Sequence, residues 1–313
     1  MRISNCEFRI ANLREAKFAI RNSKSMLHTP VLLDEVLYFL NPKPGGRFID
    51  ATLGAGGHTR AILERTAPHG LVLGVDQDES ALATAQAMLE SFGSRLVPVH
   101  ANFKDIASVA REHGFVDADG VLADIGISSM MVDDPLRGFS FMREGPLDMR
   151  MDRFQSLTAG DVVNSYSEKE IADILYNYGE ERRSRAIARS IVRSRPLERT
   201  TDLARAVLRV TGAPRHGHIH PATRTFQALR IFVNEELQNL ETFLDSSMVV
   251  LRSGGRLIVI TFHSLEDRIV KNRFRNPQVA GRVLTKKVVI AGEAEVRDNP
   301  RARSAKLRAW EKL

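Results

Sequence analysis

The stretch "FIDATLGAGGHT", Phe48 to Thr59, runs from β-forming residues through an acid into a loop of three glycines. A strand that ends in such a turn and opens a helix is a ligand cradle of parallel α/β sheets. Three occupants compete for it: a dinucleotide pyrophosphate, the phosphates of a nucleoside triphosphate, or S-adenosylmethionine, which carries no phosphate. A dinucleotide loop requires G-x-G-x-x-G, with backbone close to the pyrophosphate at a helix N-terminus. Gly54 and Gly56 supply its first half, but position 59 is Thr and Gly57 follows at once. No Gly-Lys-Ser/Thr follows either, which removes a Walker loop. S-adenosylmethionine is then the common ligand left, set against a glycine turn that serves packing alone.

Working outward, strand-like runs alternate with helical ones. "VLLDEVLYFL" carries apolar residues at 32, 33, 36, 37 and 40, a helical stripe ended by "NPKPGG". Strand "RFIDAT" leads to helix "HTRAILERT", strand "GLVLGVD" to helix "ESALATAQAMLESF", and strand "RLVPVHA" to "FKDIASVAREHG"; "ADGVLADIG" is a fourth strand. Repeated β-α units predict a parallel, doubly wound sheet with its ligand at the carboxyl ends of the strands. After Asp134 the rhythm yields to about a hundred residues of helical, Arg-rich sequence, and resumes at "GGRLIVITFHS", helix "LEDRIVKNRF" and a last strand in "SAKLRAW". The pattern predicts one α/β domain with a helical insert between its fourth and fifth strands.

The strand tips carry ligand-compatible chemistry. Asp76 ends "LVLGVDQD", 26 residues after Asp50, where a carboxylate can accept bonds from two ribose hydroxyls. Phe103 in "HANFKD" can stack on adenine or belong to the core, and Asp124 in "LADIGISS" stands where a reacting methyl group would lie or caps its loop.

The chain of 313 residues is long enough for a large core, and no apolar run of about 18 residues exists to span a bilayer. Cys6 is the only cysteine, so no internal disulfide is possible, and a reducing cytoplasm is expected. The net charge is +7, yet between Glu180 and Arg230 twelve Arg face only Glu180, Glu181, Glu198 and Asp202, a local +8. Such a run is often a solvated helical face, but the preference for Arg over Lys suits phosphate oxygens and makes nucleic acid an expected partner. The first 25 residues hold no apolar core of a secretory signal.

Together "HTPVLLDEVL", "IDATLGAGGHT", "GVDQD", "ADIGISS", "RGFSFMREGPLDMRMD", "YGEERRSRAIARSIV", "HPATRTFQALRIFVN", "GGRLIVITFHSLEDRIVK" and "NPRARSAKLR" resemble the RsmH (MraW) family of bacterial methyltransferases. The resemblance covers Met26 to about Arg308. It implies a Rossmann-like class I methyltransferase sheet with an inserted helical domain, S-adenosylmethionine as cofactor, and N4 of a cytosine in small-subunit ribosomal RNA as acceptor, within the RNA or the assembling subunit. It implies an extension over residues 1–25, with Met26 as a candidate start, the methyltransferase domain over 26–134 and 241–313, and a substrate-recognition insert over 135–240. A homodimer is compatible with it. Cofactor contacts are implied for Gly54, Gly56, Gly57, His58, Asp76, Phe103 and Asp124. Where the family usually reads Ser-Ser-Pro-Gln this chain has Ser128, Ser129, Met130 and Met131, so a thioether replaces the glutamine contact expected at 131. The segment between Asn276 and Glu293 is shorter than is usual in the family.

Arg182, Arg183, Arg224 and Arg230 are the expected RNA contacts. Metal binding is not expected: His216, His218 and His220 alternate in "RHGHIHP" without a carboxylate or cysteine nearby. "GFSFMREGPLDMRMD" reads as a packed loop or as a lid offering Phe139, Phe141 and Met142 to an extruded base, with acids Asp148 and Asp152. At the fifth tip His263 and Ser264 border the expected base pocket, or Ser264 caps the next helix.

Cytosine N4 is a weak nucleophile because its lone pair is delocalised into the ring. Methyl transfer needs in-line placement, an acceptor for N4–H, and a site for the released proton. Asp124 is the expected acceptor, with Asp148 and His263 as alternative catalytic candidates. The rival reading is a noncatalytic ribosome-assembly factor that keeps the fold as an RNA scaffold. Thr59 disfavours an NAD-dependent oxidoreductase.

Overall fold

The computed structural model describes residues 30–214 and 219–313. The extension over residues 1–25, the start expected at Met26, and His216 and His218 lie outside the described residues. Helix α1 (Leu33–Leu40) precedes four β-α units: β1 (Arg47–Asp50) and α2 (Gly57–Arg65), β2 (Leu71–Asp76) and α3 (Glu79–Met88), β3 (Leu96–His100) and α4 (Ile106–Glu112), then β4 (Ala118–Asp124) and the short α5 (Ser129–Asp133). Helices α6 (Ala159–Ser165), α7 (Glu168–Gly179), α8 (Ser184–Arg193), α9 (Thr200–Thr211), α10 (Thr223–Val233) and α11 (Glu236–Val250) follow. The chain ends in β5 (Leu251–Thr261), α12 (Ser264–Arg275), β6 (Gly281–Val283), β7 (Val289–Ile290), α13 (Glu293–Asp298) and β8 (Lys306–Lys312).

The sheet order is β3-β2-β1-β4-β5-β8-β6, with β7 also paired to β8. Strands β3, β2, β1, β4 and β5 are parallel, and β8 runs antiparallel to β5. Apolar side chains go alternately to the two faces, as a two-residue period demands. Ile49, Val121, Ala123 and Val259 pack under α4, α11 and α12, whereas Phe48, Leu122, Ile258 and Ile260 pack under α1, α2 and α3. Burial on both faces explains the nearly continuous apolar strands that made the pattern legible. The chain steps outward from β1 to β2 and β3 and then crosses back to set β4 on the other side of β1, so the crevice at the carboxyl tips of β1 and β4 is the topological switch point.

Helices α6 to α10 hold a separate core that includes Val162, Ile171, Leu175, Ile187, Leu203 and Leu229. Helix α11 turns away from it. Its Leu240, Phe243 and Leu244 are buried against the sheet, so the α/β layer begins at about Glu236 rather than at 241.

The stretch offered as a lid is mostly a packed strap. Phe139, Leu147, Met149 and Met151 are buried in the helical core, and Phe141 stacks on His220 with ring centres 4.4 Å apart. Of its Phe, Leu and Met residues only Met142 stands out into solvent. The strap is tied to the N-cap of α3 by Arg137, whose Nη1 meets Asp78 Oδ2 at 2.8 Å with both side chains buried, and to the end of α10 by Asn234, whose Oδ1 accepts the Met151 N–H.

Candidate active site

The glycine loop is shaped by its own packing before any ligand is considered. Gly56 is the left-handed N-cap of α2, with φ +81°, and a Cβ there would come within 2.6 Å of Leu89 Cδ1. It faces α3, not the crevice. Gly54 also has positive φ, and its N–H donates to Asp76 Oδ2 at 2.8 Å, which fastens the loop to the second strand tip. Gly57 lies against Pro30, leaving a thin wall between the loop and α1.

At the switch point a cavity of about 510 Å³ opens, lined by Gly54, Gly57, His58, Asp76, Phe103 and Asp124 among others. Its size suits a nucleoside-sized ligand with room for a second group. Two strand-tip carboxylates, Asp76 and Asp124, line it, and a third, Asp50, lies behind the lining. Asp50 at the β1 tip accepts Thr59 Oγ1 at 2.7 Å, and burial pushes its carboxyl up to about 6. Asp76 accepts the N–H groups of Gly54 and Asp78, and burial again pushes it up to about 6. A carboxylate has about four lone-pair sites, so Asp76 keeps acceptor capacity for two further donors.

Asp124 differs from both. Its backbone N–H donates to Thr52 Oγ1 at 2.6 Å, yet its buried Oδ1 has no partner. Burial pushes it to about 6, with the nearby His58 acting against that rise. His58 Nδ1 stands 3.9 Å from Asp124 Oδ2, while His58 Nε2 lies 2.9 Å from the Val31 carbonyl oxygen. A carbonyl only accepts, so Nε2 carries a hydrogen and Nδ1 is the ring atom that faces the acid.

Phe103 lines the cavity edge to face with Phe243, ring centres 5.2 Å apart, which leaves an apolar wall for a flat ring. Met131 also lines the cavity from α5; its side chain is buried in the helical core and its N–H donates to Ser128 Oγ. The opposite wall comes from the ends of α10 and α11. There Arg230 Nε and Nη2 donate to the two Glu236 oxygens at 2.7 and 2.8 Å. The pair is mostly buried, at 14% and 6% exposure, so Arg230 is a wall of the cavity rather than an outward phosphate contact.

Two other expected residues do not reach the cavity lining. Asp148 is gripped by Arg150 through Nε and Nη2, both at 2.8 Å; burial would raise its carboxyl, but those bonds hold it below the usual range. His263 is the N-cap of α12, one residue before the expected Ser264, since its Nδ1 accepts the Glu266 N–H. Ser264 Oγ donates to Glu180 Oε2 instead.

Glu236, His263 and Glu266 bring ligand-type atoms within 4.8 Å of one another. Arg230 already occupies both Glu236 oxygens, and Glu266 Oε2 accepts the N–H groups of Phe262 and His263, so the cluster reads as an ion-paired support beneath the β5 tip. Arg182, Arg183 and Arg224 are exposed, and Arg182 has no ion-pair partner among the described residues. Arg189, Arg199 and Arg205 are paired with Glu168, Glu144 and Asp202, so the local charge is only partly free.

Sequence reading passed over Glu236, because six residues separate it from Arg230 and no helical period links them. The left-handed Glu235, φ +49°, breaks the chain between α10 and α11 and brings them together.

The family model of the MraW methylase family matches residues 25–313. The chain is 48% identical to "Ribosomal RNA small subunit methyltransferase H" of Thermomicrobium roseum, over 95% of this chain and 97% of that one. It is 54% identical to the protein of the same name from Sorangium cellulosum, over 90% of each chain, and 51% identical to that of Synechocystis, over 91% of this chain and 93% of that one.

Proposed function

The chain belongs to the MraW methylase family, and from that premise we propose that it methylates the exocyclic N4 of a cytosine in small-subunit ribosomal RNA, using S-adenosylmethionine. The observation that carries this reading is Asp124: a partly exposed carboxylate that lines the cavity beside the glycine loop and receives no hydrogen bond among the described residues. The residues present fit the cofactor. Asp76 has lone pairs for ribose hydroxyls, Phe103 offers a wall for adenine, and Gly54, Gly57 and His58 bound the methionine end. When bound, S-adenosylmethionine supplies an electrophilic methyl group on a sulfonium. Asp124 accepts a hydrogen bond from N4–H, which draws electron density onto the nitrogen. Once nitrogen has become cationic, the same carboxylate takes its proton, with His58 Nδ1 3.9 Å from it.

Tritiated S-adenosylmethionine incubated with small subunits lacking the modification tests the activity: label enters the ribosomal RNA, and its absence would remove the enzyme reading. Asp76→Ala weakens S-adenosylmethionine binding by about 1.5 to 3 kcal/mol, the range for a hydrogen bond to a charged group. Calorimetry returning the parent affinity would refute the ribose assignment.

Affinity for the cofactor also depends on pH with a definite sign. Asp76 titrates at about 6 in the free chain, and ribose hydroxyls favour its ionised form, so binding tightens as pH rises through that value. A profile that is flat between about pH 5 and 7 would contradict this.

Arg182, Arg183 and Arg224 hold RNA by its phosphates in this reading. Replacing one of them lowers affinity and flattens the log-log salt dependence by about one unit. An unchanged slope would remove that residue from the interface.

A further inference from the structure

Arg230 has a feature that a purely structural ion pair does not require. Its Nε and Nη2 are spent on Glu236, but Nη1 has no hydrogen-bond partner among the described residues, and the side chain lines the cavity that Asp124 also lines. Of the other polar side chains nearby, Asn234 spends both ends of its amide, and the hydroxyls of Ser128 and Thr52 accept backbone N–H groups and keep one neutral O–H each. One cavity therefore holds an acceptor on Asp124, whose side chain is 25% exposed and whose carboxylate receives no hydrogen bond among the described residues, and an unspent donor on Arg230.

We infer that Arg230 reads the target base, its Nη1 donating to N3 and O2 of cytosine while Asp124 accepts from N4; this assignment rests on the methyl-transfer reading above. Cytosine presents adjacent acceptor and donor atoms at N3 and N4. Uracil presents the reverse, N3–H beside the acceptor O4, so both protein groups meet the wrong partner. Adenine offers the same pair at N1 and N6, so Arg230 separates cytosine from uracil and leaves rejection of purines to the size of the cavity.

Glu236 makes this use of an arginine compatible with the chemistry. A bare guanidinium would oppose a cationic methyl donor in the same cavity, whereas the bidentate carboxylate neutralises the fork and fixes its plane. A phosphate role fits less well, since it would place a second anion against a guanidinium already paired and largely buried.

The test uses unmodified small subunits whose methylated position carries either cytidine or 3-deazacytidine, in which C–H replaces N3. Single-turnover methylation by the parent protein slows about 10- to 150-fold on the deaza base, the loss expected for one bond to a charged donor. In Arg230→Lys, which keeps a cation for Glu236 but loses the fork, the same replacement costs about twofold or less. A penalty that persists undiminished in the variant overturns the assignment. So does a parent protein that does not distinguish the two bases, a measurement that needs no variant to fold. Label on a base other than cytosine overturns the substrate reading together with this assignment, whereas additive penalties on a methylated cytosine overturn the assignment alone.

Discussion

Asp124→Asn is expected to lower single-turnover methylation by about 10²- to 10⁴-fold while cofactor and RNA affinities change little, the pattern of a group that acts chiefly in the transition state. The substitution keeps the size of the side chain and an oxygen able to accept from N4–H. What it removes is the negative charge that stabilises a cationic amine and the base that takes its proton. The fold should tolerate the change. Burial holds the Asp124 carboxyl at about 6, above its unfolded value, so the ionised side chain costs stability at neutral pH and the amide does not. Methylation near the parent rate with both ligands saturating would make Asp124 a loop cap or a cofactor contact.

The largest stability effect is expected at Arg137. Its guanidinium bonds Asp78 at 2.8 Å and the carbonyl oxygens of Arg150 and Met151 at 3.0 and 2.8 Å, in a site where both charged side chains are only 5% exposed. Arg137→Ala leaves the buried Asp78 carboxylate without its cation, bonded to Ser80 alone, and two carbonyls without partners, at a cost of about 3 to 5 kcal/mol in urea unfolding. Arg137→Ala combined with Asp78→Asn should recover part of that loss, since the uncompensated charge is gone.

The pH dependence of this pair is opposite to that of Asp124. Burial would raise Asp78, but bonds from Ser80 and Arg137 outweigh it and hold its carboxyl below the usual value. Its contribution is therefore complete above about pH 4 and disappears as pH falls through the lowered folded value. An Arg137→Ala protein as stable as the parent would show that the strap is held by its apolar contacts alone.

The sheet was legible because its parallel strands are buried on both faces and announce themselves as apolar runs ending in acids. Strands β6 and β7 were not, since three and two residues are too few to show a period, and their place is fixed by pairing with β8. Asp76 and Asp124 could be read as site residues because a strand tip is a position the chain specifies locally. Residues placed by long-range packing were harder. Arg230 looked like one more member of a basic run, and only the turn at Glu235 converts it into half of a buried pair. Asp148 looked like an acid near the fourth tip, and only Arg150, two residues on, shows where its carboxylate is spent. Gly56 drew attention as a ligand glycine, but the contact that forbids a side chain there is with Leu89.

The central claim is that the methyl group is delivered to N4 of a cytosine. Small subunits lacking the modification, treated with the protein and isotopically labelled S-adenosylmethionine, can be digested to nucleosides and the labelled nucleoside identified by mass spectrometry. The account predicts N4-methylcytidine at a single position, absent when Asp124→Asn replaces the parent. Label recovered as a ribose methyl, as C5-methylcytidine or on another base would contradict it.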